Sequence, residues 1–205
     1  MRALILVVAL AVMTTLAAEC RAGILIATTK LDGPSEFPPV ASPGEGFAKV
    51  IFDTDAHTLR VIISFRKLLG VITVAHIHAR VSPSADPPVV GVATTVPTFP
   101  GFPTGVTKGF YDRTFDTTLA STFNPAFINA NGGTPAGAEA ALFAAIEAGE
   151  AYVNLHTNLF PAGEIRGFLN PIPEPASVVL FLLGTVGVAG WVRRRRASGA
   201  TNRKA

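Results

Sequence analysis

Among its 205 residues the chain has one cysteine, Cys20, one tryptophan and two tyrosines, and only 15% of its residues are charged. A lone cysteine excludes an intramolecular disulfide, and Cys20 lies in an N-terminal stretch that reads as removable, so stability must come from a packed core. Motifs of catalysis are missing as well. There is no Gly-x-Ser-x-Gly, no phosphate-binding glycine loop, and no second carboxylate beside Glu164 at a recognisable spacing. The expectation is therefore a protein that is not an enzyme. No internal repeat is visible.

Positive charge is scarce where a binding domain would need it. The whole chain is +3 with a pI of about 9.4. Eight of its basic residues, however, are Arg2, Arg21, Arg193 to Arg196, Arg203 and Lys204. Residues 23–170 keep nine basic against twelve acidic residues, a net −3. The basic pI reports topology, and no nucleic-acid partner is expected.

What is present in excess is hydrophobicity, 49% of residues, and it gathers at the two ends. Met1 and Arg2 precede an apolar run from Ala3 to Ala18 with small residues near Ala22, the order of a secretory signal peptide over residues 1–22 that signal peptidase would remove. Glu19 stands before Cys20 where a lipobox needs a small residue, which argues against lipidation. At the other end, Ala176 to Val192 is apolar on all sides and closes in Arg193, Arg194, Arg195 and Arg196. About 17 such residues is the lower limit for a transmembrane helix, and the arginines would hold the C-terminus in the cytoplasm. Just before it, Glu174 sits between Pro173 and Pro175, both of which forbid helix. Pro-Glu-Pro, apolar helix and arginine cluster together resemble the PEP-CTERM sorting signal of Gram-negative bacteria. The resemblance implies passage through the inner membrane, recognition by an exosortase, and delivery to the cell surface or outside it, commonly alongside exopolysaccharide.

Between the ends the pattern is β-rich. Ile24 to Thr29 suits a first strand, and a proline- and glycine-dense loop over Leu31 to Gly44 follows. Residues 46–65 alternate as a hairpin around a turn at Asp53 to Ala56. Ala75 to Val81 and Val89 to Val96 read as further strands, separated by a proline-rich loop over Ser82 to Pro88. Phe99 and Phe102 are expected to pin a loop to the core, and Val106 to Leu119 to form a pair of short strands. One helix is predicted from Thr134 as the cap and Pro135 at the first position to Gly149, with Leu142, Phe143 and Ile146 on one face. Seven to nine strands with a single short helix imply an all-β antiparallel Greek-key sandwich or barrel over residues 23–170, with a sorting segment over 171–205.

The most specific stretch is Ala151 to Leu169. Val153, Leu155 and Thr157 alternate with Tyr152, Asn154 and His156, then Pro161 and Gly163 turn the chain into a return run in which Glu164 and Arg166 share a side. Tyr152, Asn154, His156, Thr157, Pro161, Gly163, Glu164, Ile165, Arg166 and Gly167 resemble the signature of the CHRD domain. Ala75-His-Ile-His-Ala79 is similar to that family's other landmark, and a glutamate before prolines in the first loop is similar to its opening element. The resemblance implies a secreted β-domain.

His76 and His78 leave one face of a strand, and His156 lies on the polar face of the last hairpin. Three imidazoles converging there would suit copper or zinc. The alternative is that they stitch strands together through hydrogen bonds with Asn154 and Thr157. Glu164 and Arg166 are expected to pair with each other or with a partner's charge, and His57, near a turn, to face solvent. The leading reading is a binding or structural module that engages surface proteins or exopolysaccharide. The competing one is a metal-binding extracytoplasmic protein using His76, His78 and His156.

Overall fold

A computed structural model describes residues 23–80 and 90–172. The expected signal peptide, the proline-rich loop, the transmembrane segment and the sorting residues Pro173, Glu174, Pro175 and Arg193 to Arg196 lie outside the described residues. The described strands form one antiparallel sheet, curled as a half-barrel.

Strand β1 (Ile24–Asp32) pairs along its full length with β2 (Glu45–Asp53), and β2 with β3 (Thr58–Arg66). Their alternation puts Ala27, Leu31, Ala48, Val50, Phe52, Leu59, Val61, Ile63 and Phe65 on one buried face. Each large side chain buried this way contributes about 1.5–3 kcal/mol, which is how a chain without disulfides holds together. Strand β4 (Ile72–Arg80) carries the His-x-His motif and lies between the short β5 (Val90–Val92) and β7 (Tyr152–Thr157). Strand β8 (Ile165–Phe168) joins β7 to β1, and β9 (Asn170–Pro171) also pairs with β1. At the far side β6 (Gly109–Asp116) pairs with β3, giving the order β5-β4-β7-β8-β1-β2-β3-β6. The last hairpin forms as expected, with Leu155 opposite Ile165.

Three expectations need correction. Val106 to Leu119 holds one strand, because Asp116 ends it by accepting from both the backbone N–H and the hydroxyl of Thr118. The strand expected from Val89 to Val96 is regular only at β5, after which Thr94 makes a single bridge to Phe123. The segment after Phe123 is a helix in its own right, α1 (Pro125–Ala130), capped by the Asn124 side chain.

The predicted helix is α2 (Pro135–Glu147). Thr134 caps it by accepting from the Gly137 N–H. It ends as Gly149 takes φ +71° and donates to the Ile146 carbonyl while Glu150 donates to Ala145, the paired closure that glycine permits. Leu142 and Ile146 are buried, and Phe143 meets Phe52 edge-on at 5.6 Å. Phe99 and Phe102 are buried with Tyr111 packed on both, as the loop reading required.

Candidate metal centre

Strands β4 and β7 run antiparallel with His76 opposite Asn154, His78 opposite Tyr152 and Val74 opposite His156. Because side chains alternate, this register places His76, His78, Tyr152, Asn154 and His156 on one face. The opposite face of β7, with Val153 and Leu155, joins the core. The histidine rings are 5.2 Å apart for His76 and His156, 5.6 Å for His76 and His78, and 6.0 Å for His78 and His156. One ring nitrogen from each lies within 4.8 Å of the other two.

Two of the rings are tethered. His76 Nε2 lies 2.5 Å from the Pro97 carbonyl oxygen, and His156 Nδ1 lies 3.0 Å from that of Pro161. A carbonyl only accepts, so these nitrogens carry the ring protons and leave lone pairs on His76 Nδ1 and His156 Nε2. Those two atoms and His78 Nε2 are shielded from solvent and have no hydrogen-bond partner. His76 and His156 are 6% and 9% exposed, so the unpartnered atoms cannot be excused as surface groups. Burial lowers the pKa of all three histidines, that of His78 to about 3, where the neighbouring histidines and Arg166 add to the effect. The rings are neutral at pH 7, the form that offers a lone pair.

The surroundings hold the cluster in place. Tyr152 stacks on His78 at 4.8 Å with planes 3° apart, and the Arg166 guanidinium lies 5.0 Å from the Tyr152 ring centre. Arg166 also donates to the Ser35 carbonyl and faces Glu36 at 3.7 Å. Glu36 is buried, and desolvation raises its pKa to about 7 against the pull of Arg166. Its Oε1 and the Oδ1 of Asn154 have no partner, and both lie 2.6 Å from where a Cβ on Gly163 would stand. Gly163 has φ +134°, so glycine there satisfies both the backbone and the space.

The other polar group of the hairpin is arranged differently. Glu164 is fully buried and accepts from the Leu69 N–H and Ser42 hydroxyl at 2.6 Å each, the Thr157 hydroxyl at 2.8 Å and the Gly70 N–H at 3.0 Å. The expected Glu164–Arg166 pair is therefore not formed. Glu164 precedes the first residue of β8, so strand alternation does not govern it, and its carboxylate turns to the 69–70 backbone while Arg166 turns to Glu36. His57 is half exposed as expected for its side, yet it is held by the buried Glu139 at 3.0 Å.

Two family models match the chain. A family model described as CHRD domain matches residues 27–169. The chain belongs to the CHRD domain family. A second model, described as PEP-CTERM protein-sorting motif, matches residues 171–196, beginning where the sheet ends. That motif implies export in a Gram-negative bacterium, surface association, and processing by an exosortase at the membrane. No curated protein and no solved structure matches this CHRD protein.

Glu36 was visible in the sequence only as the acid before the prolines, with nothing to link it to Arg166 or Asn154. The carbonyls of Pro97 and Pro161 could not have been found from residue type, since every residue has one.

Proposed function

We propose that this exported CHRD domain is a metal-binding module, not an enzyme, in which His76, His78 and His156 hold a copper or zinc ion. The observation that carries the reading is the set of three buried, unpartnered ring nitrogens brought together from two strands. An unpartnered buried polar atom costs about 1–3 kcal/mol, and three on one face demand a common partner. A metal ion supplies one. The tether from each second nitrogen of His76 and His156 to a carbonyl is the support that orients metal-bound histidines. Strand stitching alone explains those two tethers and leaves the three inward nitrogens without a purpose.

Displayed at the cell surface or in extracellular polymer after exosortase processing, such a module binds metal outside the inner membrane. Metal analysis of the purified protein tests the reading. One equivalent of copper or zinc, lost in His76→Ala and His156→Ala with the fold retained, is the expected result; a folded protein that takes up neither metal contradicts it. For the sorting step, deletion of Pro173 to Ala205 is expected to send the protein into the medium, and retention on cells would contradict that.

A further inference from the structure

The trihistidine reading leaves open which ion is held, and the chemistry of the site narrows the choice. The group that gathers is made of histidines only; among the described residues no carboxylate joins it. All three donors are neutral imidazoles, so an ion placed among them keeps its full charge. The charged side chain whose field acts on His78 is Arg166, a cation, and it is paired with Glu36. Among the described residues no unpaired carboxylate gathers with the rings to offset a dication.

Charge then decides between ions. The Born cost of desolvating an ion grows with the square of its charge, so a dication costs roughly four times as much as a monocation at the same radius and depth. Zinc and divalent copper commonly recover that cost through a fourth ligand, a thiolate, carboxylate, water or hydroxide. The unpartnered nitrogens here are shielded from solvent, and the segments bearing Pro97 and Pro161 are tied to the rings. Atoms so shielded face no solvent from which a water ligand would be drawn.

We infer that the ion is cuprous: His76, His78 and His156 hold Cu(I) in a three-coordinate, all-nitrogen site closed to water. This inference rests on the trihistidine reading and adds the ion's charge and coordination number to it. Cu(I) accepts three nitrogen donors without a further ligand, carries a single positive charge, and forms its bonds to imidazole as a soft ion that gives up its hydration readily. Tyr152, stacked on His78, covers the ring that belongs to the least buried of the three histidines.

The test is a competition titration of the purified full chain, stripped of metal and kept anaerobic. Cu(I) is delivered as its bicinchoninate complex, whose colour is lost as the protein takes the ion. Zn²⁺ and Cu²⁺ are titrated in parallel, and the copper-loaded protein is examined by electron paramagnetic resonance. The expected result is one equivalent of Cu(I) bound with no paramagnetic signal, with Zn²⁺ weaker by roughly a hundredfold or more, and Cu(I) affinity reduced at least roughly tenfold to a hundredfold by His78→Gln. His78→Gln keeps a polar side chain of similar size, and circular dichroism of the same sample confirms its fold; His156→Gln serves if it does not fold. Zn²⁺ binding as tightly as Cu(I), or a stable Cu²⁺ signal in the loaded protein, overturns the cuprous assignment while leaving the trihistidine site standing. Failure of all three ions to bind, or Cu(I) binding unchanged in both glutamine variants, overturns the trihistidine reading itself.

Discussion

Two buried polar groups meet at the last hairpin, Glu164 and the histidine cluster that β7 shares with β4, and they are built on opposite plans. Glu164 collects four donors from three separate segments, Ser42, the 69–70 backbone and Thr157, so its carboxylate is saturated by the protein. His76 and His156 are saturated only on the side that faces the loops. A polar group with every lone pair occupied is a fastener. One with lone pairs held inward and empty-handed is a receptor, because folding gains nothing from leaving them so.

Substituting one group at a time separates the fastener from the receptor. Glu164→Ala strands two backbone N–H groups and two hydroxyls, and a loss of about 4 kcal/mol in unfolding free energy is expected from denaturant titration. A loss below about 1 kcal/mol would show that the four donors have other partners to turn to. Gly163→Ala should cost about 2–3 kcal/mol, since a side chain at φ +134° is strained and its Cβ would press on Asn154 and Glu36. His78→Leu should behave in the reverse way. Stability of the metal-free protein should stay within about 1 kcal/mol of the parent or rise, because an apolar side chain replaces an unpartnered one. The stabilisation conferred by metal, about 2.7 kcal/mol at a hundredfold excess over Kd, should vanish in the same variant. A large loss in the metal-free state would mean that the His78 ring is itself a fastener.

The smallest effect is on pH dependence. The histidine pKa values are depressed in the folded protein, so their contribution is full above the unfolded value of about 6.5 and is lost as pH falls toward the folded values, about 3 for His78. Glu36, raised to about 7, works in the opposite sense: its contribution is full below the unfolded carboxyl range and is lost as pH rises through 7. The histidines thus make the metal-free protein less stable at pH 5 than at pH 7.5, and Glu36 opposes that slope. His78→Leu should flatten that slope and Glu36→Gln should steepen it, both read as midpoints of urea unfolding.

Much of the fold was legible because it is written in short-range pattern. Alternation located β1 to β4 and the last hairpin, and Thr134, Pro135 and Gly149 bracketed α2, since capping is a contact between near neighbours. Of the misread segments, 106–119 stops where the Asp116 carboxylate accepts from Thr118 in place of further strand pairing, and 89–96 leaves the regular ladder after Val92. For the candidate site, the three histidines were identifiable from their spacing on two strands, and the register of β4 against β7 brings them together. The partner of Glu164 was misassigned because the nearest opposite charge in sequence, Arg166, is not the nearest group in space.

The chain's order of residues thus determined by itself an antiparallel β-domain of the CHRD family and a sorting motif after it, since strand period, capping and signature are all properties of neighbours along the chain. It took folding to saturate Glu164, to bring Glu36 to Arg166 across 130 residues, and to leave three imidazoles facing one another without partners. Whether a buried lone pair is occupied depends on atoms delivered by distant loops, and no local pattern encodes that.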